Sequence, residues 1–371
     1  MRVLTIRFSW QPGKAVGGAE QSAVLHAKTL VRLDHHARAI TNFGVDEPNK
    51  PYIRRIWMPA NKLVGQFWAF LLLPWMVVSY RPDVVNPHSR FDQIALSTTK
   101  WLHRRPVVWK DPGDLVHMIK LKRSNLLGKW NQKLYIAAIK RADAIYTLNQ
   151  VSLNHLLNTL KELGVEDQAD KFSVVPSDIA FEDYDLDAKP PQSKAKLIIG
   201  TIIRLDPHKG VQHLIKAFKK LDLDDSELWI IGDGEYKHQL KKLAGDRKDI
   251  KFWGYKTNTS PYLKGMDIFV QPAEFEGWGR TVKEAMYFSL PIIGSNVGGI
   301  AQQIKDGRSG ILFEPKDVDG LTDKLEQLAG DKQLRQKLGN QAHQQALASG
   351  DYKRLMQSKI IPLFEKHIPK N

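Results

Sequence analysis

The stretch EGWGRTVKE, Glu276–Glu284, decides the fold of this chain. It lies between two apolar runs, Ile268–Val270 and Pro291–Gly294, that have the length of buried strands. Glycines follow the first run and open a helix, which predicts a strand, a tight turn and a helix in succession. In open α/β folds the crevice beyond the carboxyl ends of the strands is where ligands bind.

The same stretch combines two kinds of chemistry. Gly277 and Gly279 leave backbone amides accessible at the start of a helix, and such amides attract phosphate. Glu276 and Glu284 repel phosphate but suit hydroxyl donors, such as those of a ribose and a sugar on either side of a diphosphate. The segment therefore has the chemistry to hold a nucleotide sugar.

Short apolar runs alternate with helix-length segments along the chain, which predicts parallel βαβ units. An acidic, proline-containing stretch, Glu182–Ser193, interrupts this alternation and predicts a linker. We therefore predict two Rossmann-like α/β domains, residues 1–185 and 195–350, with a cleft between them. A last helix over 352–368 can pack back on the first domain. A chain of 371 residues is long enough for two cores.

Composition restricts the class of protein and its partners. There is no cysteine, which excludes disulfides and thiolate metal sites. The net charge is +15, and residues 1–160 hold 23 Lys and Arg against 9 Asp and Glu, so nearly all the excess lies in that half. Such an asymmetry predicts an anionic partner there: nucleic acid, acidic lipid or a phosphorylated acceptor. The start, Met1–Phe8, predicts a first strand and not a signal peptide.

Two segments bear on membrane contact. The apolar run Leu63–Tyr80 is interrupted by Gln66 and Pro74, which favours a buried or partly interfacial helix over a transmembrane one. Lys120–Lys133 mixes cations with Leu and Trp and suits contact with anionic lipid. The alternative for this second segment is an amphipathic helix with a solvated basic face.

Three loops lie where a diphosphate site would need them. Gly17 and Gly18 follow the first predicted strand, and Arg204 and Lys209 follow the first strand of the second domain. A well-placed donor to a leaving diphosphate contributes about 3–4 kcal/mol. Ordinary turns and a solvated basic loop are the alternatives, and a helix cap explains Gly234 equally well.

Together these segments resemble the family-4 retaining glycosyltransferases, which adopt the GT-B fold. The resemblance spans almost the whole chain and rests on Gly17–Glu20, Arg204 with Lys209-Gly210, Ile231–Gly234, Phe252–Gly254, Glu276–Glu284 and Asn296–Gly299. It implies transfer of a sugar from a UDP- or GDP-linked donor to a lipid-linked, lipopolysaccharide or polysaccharide acceptor. It implies no metal and no cofactor.

The resemblance also implies roles for individual residues. It assigns catalysis to Arg204, Lys209, Glu276, His88 and Asp111. It assigns donor binding to Gly17, Gly18, Gly234, Trp253, Gly254, Tyr255, Gly277, Trp278, Gly279, Arg280 and Glu284. In this scheme the two cations stabilise the departing diphosphate, Glu276 binds the sugar hydroxyls and Glu284 binds the ribose.

The residues of the first domain leave alternatives open. His88 follows a strand and either reaches the donor sugar or makes a structural hydrogen bond. Asp111 either orients the acceptor hydroxyl or caps a helix. Asn86 stands where relatives often have another histidine, and Ser177-Asp178 replaces a common Asn-Gly.

Two other functions were weighed against sugar transfer. A nucleotide-sugar epimerase of the same fold would need acid and base carboxylates that Glu276–Glu284 does not supply. A basic nucleic-acid-binding module would leave the donor residues without a purpose. We therefore predict a cytoplasmic glycosyltransferase, peripheral at the inner face of the cytoplasmic membrane, with no nucleic-acid partner.

Overall fold

A computed structural model describes residues 1–8, 18–41, 50–57, 62–111, 126–165, 168–221, 223 and 225–369. The chain divides into two compact units. Unit 1 comprises Met1–Pro176 and Lys353–Asn371, and unit 2 comprises Ser177–Tyr352. The predicted first boundary at 185 lies inside unit 2 by this division, and the C-terminal helix is grouped with unit 1 from Lys353 onward.

Unit 1 is built on parallel strands. Four of them form a sheet in the order β3-β2-β1-β4, and three more are paired in the order β5-β6-β7. A parallel bridge between Val85 and Val107 joins the two groups. The strands are β1 (Arg2–Arg7), β2 (His36–Thr41), β3 (Ile53–Arg55), β4 (Val84–Pro87), β5 (Val108–Lys110), β6 (Ala144–Thr147) and β7 (Phe172–Val174).

Helices follow the strands of unit 1, as parallel connections require. They are α1 (Gly18–Arg32), α2 (Lys62–Tyr80), α3 (Arg90–Thr98), α4 (Lys100–His103), α5 (Leu126–Arg141) and α6 (Gln150–Glu162). The core lies between helices and sheet and includes Leu4, Ile6, Leu73 and Trp109, all fully buried.

Unit 2 has a single six-stranded parallel sheet in the order β10-β9-β8-β11-β12-β13. Its strands are β8 (Leu197–Ile202), β9 (Ser226–Ile231), β10 (Ile250–Gly254), β11 (Ile268–Gln271), β12 (Ile292–Ser295) and β13 (Ile311–Phe313). Every residue of β8, β11 and β12 is buried, because helices cover both faces of a parallel sheet.

The helices of unit 2 follow its strands. They are α7 (Val211–Lys220), α8 (Lys237–Ala244), α9 (Ser260–Gly265), α10 (Arg280–Tyr287), α11 (Gly298–Gln303), α12 (Val318–Gly330) and α13 (Lys332–Ser349). After these helices, α14 (Tyr352–Leu355) and α15 (Ile361–His367) flank a π-helical turn, Met356–Ile360, that interrupts the helix predicted over 352–368; from Lys353 onward this segment is grouped with unit 1.

The strand order of unit 2 fixes where a ligand can bind. The chain lays β9 and β10 on one side of β8 and then returns to lay β11, β12 and β13 on the other. The gap between the loops that follow β8 and β11 is therefore the topological switch point, where open α/β sheets bind their ligands.

Candidate functional site

The switch point of unit 2 holds a cation and a carboxylate in direct contact. Lys209 ends a 3₁₀ turn that follows β8, and Glu276 lies in the loop after β11. Lys209 Nζ donates to Glu276 Oε2 at 2.9 Å, and the two side chains are 16% and 17% exposed. Two residues that were predicted to act on neighbouring parts of one donor are thus brought together across 67 positions of sequence.

Backbone contacts hold these two loops against each other. Gly210 has φ of 71°, and a Cβ there would lie 1.8 Å from the carbonyl oxygen of Pro272. The amide of Glu274 donates to the carbonyl of His208 at 2.9 Å. Because only glycine fits at position 210, the spacing between the loops depends on it.

The side chain of Glu274 adds a polar link between the same loops. Its Oε1 lies 2.9 Å from His213 Nε2, and its Oε2 lies 3.2 Å from Lys316 Nζ. Burial pushes the pKa of Glu274 upward, but the bonds from His213 and Lys316 outweigh it and leave the pKa below its usual value. Glu274 is therefore a charged anchor beside Glu276 that the sequence analysis did not identify.

Arg204 is the more accessible of the two predicted cations. Its side chain is 53% exposed, and its Nε lies 2.5 Å from Asp206 Oδ2 in the same loop. A guanidinium has five N–H donors, so the contact with Asp206 orients the group and leaves donors for a further anion. The position agrees with a cation that meets a ligand at the edge of the sheet.

Gly234 has a packing role in the structure. A Cβ at Gly232 or Gly234 would lie 1.9 Å or 2.3 Å from the carbonyl oxygen of Ile203 or Leu205. The amide of Leu205 in turn donates to the carbonyl of Asp233 at 2.9 Å. These glycines let the loop after β9 lie against the loop that carries Arg204.

A glycine turn precedes α10, as predicted. Gly279 is the N-cap with φ of 80°, and the first turn of α10 contains no acidic residue. Gln303 Nε2 donates to the carbonyl of Trp278 at 2.5 Å, which fixes the turn from behind. Arg280 begins the helix. Gly279 is itself buried, and anion binding by the amides of this turn stays a prediction.

A second glycine pair supports the backbone of Glu276. A Cβ at Gly298, where φ is 43°, would lie 2.1 Å from the carbonyl oxygen of Glu276. The amide of Gly299 donates to that same oxygen at 3.2 Å. The loop after β12 therefore fixes the position of the Glu276 backbone.

Glu284 has a different environment from Glu276. It is 7% exposed, and its carboxylate is hydrogen-bonded by Tyr184 and Thr259. Burial raises the pKa of Glu284, while the charge of Arg280 and the two hydrogen bonds offset part of that rise. A ribose hydroxyl would have to share this carboxylate with Tyr184, a partner 100 positions earlier that sequence reasoning missed.

Lys283 is a second residue that the sequence analysis did not single out. It is 6% exposed, and its Nζ lies 2.7 Å from Asp178 Oδ1. The same Nζ donates to Ser349 Oγ at 2.8 Å and to the carbonyl of Gly350 at 2.6 Å. Asp178, of the Ser177-Asp178 pair, is therefore the counter-ion of the buried lysine beside Glu284.

The predicted nucleobase contacts lie at the end of β10. The indole of Trp253 packs against Trp229 and Tyr262, with ring centroids 5.4 Å and 5.3 Å away. Gly254 has φ of 71° with open space around it, and Tyr255 is half-buried. The open space at Gly254 leaves room beside the backbone there, and the nucleobase contact of Trp253–Tyr255 stays a prediction.

His88 lies in a buried polar network of unit 1. It is 1% exposed, with Nδ1 2.8 Å from Ser22 Oγ and Nε2 2.6 Å from Asn86 Oδ1. Asn86 Nδ2 donates to the carbonyl of Val108, which turns its Oδ1 towards the histidine, so Nε2 carries the proton. Burial, assisted by His26, lowers the pKa of His88 well below its usual value. A contact with donor sugar would require one of these two bonds to be exchanged, and the role of His88 stays a prediction.

The other predicted residues of unit 1 are less fully placed. Asp111 is 1% exposed, and its amide donates to the carbonyl of Tyr146 at 2.9 Å. Gly18 begins α1, whereas Gly17 lies outside the described residues, as does the first part of Lys120–Lys133, residues 120–125. Within the described part of the chain no group of three His, Asp or Glu could hold a metal ion.

Comparison with known proteins agrees with this architecture. The family model "Glycosyl transferases group 1" matches residues 184–345, and "Glycosyltransferase Family 4" matches residues 16–176. The structure of Anabaena Alr3699/HepE in complex with UDP and glucose superposes with a TM-score of 0.76 at 17% identity, over 97% of this chain and 98% of that one.

Two curated relatives show how far sequence similarity extends. The lipopolysaccharide core biosynthesis glycosyltransferase LpsE of Rhizobium meliloti (strain 1021) is 29% identical over 150 residues, 40% of this chain and 44% of its own length. The UDP-Gal:alpha-D-GlcNAc-diphosphoundecaprenol alpha-1,3-galactosyltransferase of Escherichia coli is 29% identical over 269 residues, 68% of this chain and 67% of its own. The chain thus spans less than half the length of some curated relatives that it matches.

The two parallel-sheet α/β units place the chain in the GT-B fold class, as predicted. The family models, one over each unit, are more specific: the chain belongs to the family-4 type of glycosyltransferases.

Proposed function

We propose that this protein is a retaining hexosyltransferase that moves a sugar from a nucleotide diphosphate donor to a lipid-linked, lipopolysaccharide or polysaccharide acceptor. The observation that carries the proposal is the contact between Lys209 and Glu276 at the switch point of unit 2. A cation suited to a pyrophosphate and a carboxylate suited to sugar hydroxyls lie side by side there, 2.9 Å apart, so one nucleotide sugar bound at this point would reach both.

Each part of the donor has a partner of matching chemistry in unit 2. The diphosphate meets Lys209, Arg204 and the amides before α10, where the helix dipole adds to the attraction. The sugar meets Glu276, and the ribose meets Glu284, which accepts a hydroxyl hydrogen bond alongside that of Tyr184. The donor contacts are made by this chain's own side chains and amides, without a metal or cofactor.

The proposed course of the reaction is the retaining one that the family resemblance implies. The acceptor oxygen attacks the anomeric carbon from the face that the diphosphate leaves, and a phosphate oxygen takes the hydroxyl proton. Lys209 and Arg204 stabilise the negative charge that the diphosphate gains as its bond to the anomeric carbon breaks, which lowers the barrier where charge develops. We propose that Asp111 orients the acceptor hydroxyl and that His88 reaches the donor sugar, the functional roles expected from sequence.

Substitution of the two cations tests the assignment. We expect Lys209→Ala or Arg204→Ala to lower turnover by about 10²–10³-fold, the usual effect of removing one donor to a developing charge. Lys196→Ala is the matched control, because Lys196 pairs with Asp225 at the opposite, amino end of β8 and is 84% exposed. Turnover at the wild-type level in both test variants, or equal losses in the control, would remove these residues from the donor site.

The donor base is tested separately by binding. We propose UDP, because Alr3699/HepE of the same fold is seen with UDP. UDP at about 100 times its dissociation constant should stabilise the protein by about 2.7 kcal/mol, and GDP should have no effect at the same concentration. Stabilisation by GDP alone would reassign the donor.

A further inference from the structure

One face of α2 is apolar and open to solvent. The exposed fractions are 52% for Val64, 67% for Phe67, 40% for Trp68, 57% for Leu71, 66% for Trp75 and 50% for Val78. We refer to these six side chains as the α2 stripe. The opposite face of the helix is fully buried at Ala69, Leu73 and Val77. The sequence predicted a buried or partly interfacial helix, and the structure separates the two faces.

The α2 stripe is continuous. Its members recur at intervals of three and four residues, so they share one face of the helix over a length of about 21 Å. α4 packs against α2 and carries two more exposed apolar side chains, Trp101 at 72% and Leu102 at 47%. Exposed apolar residues that stand singly need no explanation, but a contiguous row of this size marks an interaction surface.

The charges around the α2 stripe have one sign. Residues 48–82 contain Lys50, Arg54, Arg55, Lys62 and Arg81 and no Asp or Glu. Arg54 and Arg55 are exposed on β3, and Arg81 is exposed directly after the last residue of α2. A partner for this face therefore combines an apolar layer with negative charge.

No helix among the described residues is long and apolar enough to cross a membrane. The row of large side chains on α2 instead has the form of a helix that lies in the plane of an interface, with aromatic rings at the level of the lipid headgroups. The flanking arginines then meet anionic headgroups, and each adds attraction near the surface.

We propose that the α2 stripe docks unit 1 on the surface of an anionic lipid bilayer, with α2 parallel to the membrane plane. A second copy of this chain fits the same face less well. A two-fold contact is self-complementary, so it would set the basic residues of 48–82 against the same residues of the other copy. The inference concerns unit 1 alone and does not rest on the proposed sugar transfer.

Vesicle flotation with two matched triple variants tests the proposal. The stripe variant is Phe67→Ser/Leu71→Ser/Trp75→Ser. The control variant, Val31→Ser/Val151→Ser/Leu347→Ser, also removes three exposed apolar side chains, but from scattered positions. Vesicles of phosphatidylcholine and phosphatidylglycerol in equal parts are compared with vesicles of phosphatidylcholine alone. Circular dichroism and UDP affinity, measured alongside, are expected to be unchanged.

Wild-type protein and the control variant should float with the anionic vesicles, and the stripe variant should show a partition coefficient more than about tenfold lower. Arg54→Gln/Arg55→Gln should lower binding by about tenfold as well, and added salt should remove that difference. Equal flotation of the two triple variants would overturn the proposal. So would a wild-type dimer that only the stripe variant abolishes, because the face would then belong to a second copy.

Discussion

Gly298→Ala tests whether the loop after β12 sets the position of Glu276. The new Cβ would lie 2.1 Å from the carbonyl oxygen of Glu276, whereas ordinary contacts begin at 3.4 Å. One of the two atoms therefore has to move by about 1 Å, and a displacement of that size at a binding group costs about 10²-fold in rate. We expect kcat/KM for the nucleotide-sugar donor to fall by that factor, with UDP affinity reduced in isothermal titration.

The control for this substitution is Gly307→Ala. Gly307 also has positive φ, 67°, but a Cβ there would meet nothing within 4 Å. In both variants an alanine in the left-handed region lowers the free energy of unfolding by about 1–2 kcal/mol, which lowers the melting temperature by a few degrees. Only Gly298→Ala adds the clash with Glu276. Wild-type kcat/KM in Gly298→Ala, or an equal loss in Gly307→Ala, would refute the reasoning.

Three further predictions follow from buried groups. Lys283→Met should cost about 3–5 kcal/mol in urea unfolding, because it leaves the buried carboxylate of Asp178 without its cation, and Asp178→Asn added to it should recover part of the loss. Burial raises the pKa of Asp92 to about 7, so the folded state binds a proton more tightly than the unfolded chain, and wild-type stability should decline as pH rises from about 4 to 7. Asp92→Asn should remove that decline, and thermal melts of both proteins at pH 5 and 8 would show it. If the melting temperatures of the two proteins change with pH by the same amount, Asp92 is not the group responsible. Tyr184→Phe removes a hydrogen bond that stabilises ionised Glu284, so the pKa of Glu284 should rise. When UDP affinity is measured against pH, its fall on the acid side should therefore begin at a higher pH. An unchanged pH profile would show that Glu284 takes no part in nucleotide binding.

The strands most readily predicted from sequence are those buried on both faces. β8, β11 and β12 are continuous apolar runs, and such runs are visible without knowledge of their neighbours. The sequence analysis missed β2, β3 and β13. β3 is a three-residue edge strand, IRR, with two exposed arginines, so its sequence carries no apolar signal. Edge strands owe their existence to the strand beside them, which a local pattern does not encode.

The candidate site divides in the same way. The loops at the carboxyl ends of the strands could be predicted, since the strand order follows from right-handed parallel connections. The environments of the side chains could not. Glu276 and Glu284 look alike in sequence, yet one is partly exposed and pairs with Lys209, and the other is buried and accepts a hydrogen bond from Tyr184. Partners that lie 67 and 100 positions away are set by tertiary packing and leave no local trace.

The contact between Lys209 and Glu276 also constrains how a donor enters. A lysine ammonium has three N–H donors, and Glu276 occupies one of them, so a diphosphate can bind Lys209 while that contact persists. Glu276 in turn keeps acceptor capacity for sugar hydroxyls. Both side chains are more than four-fifths buried, so each charge has lost most of its contact with water. Because the two charges attract each other, their pairing offsets part of this desolvation cost. A sugar without a diphosphate, or a diphosphate without a sugar, engages only half of this pair. If Lys209 and Glu276 bind the donor as proposed, their pairing favours a complete nucleotide sugar over either half alone.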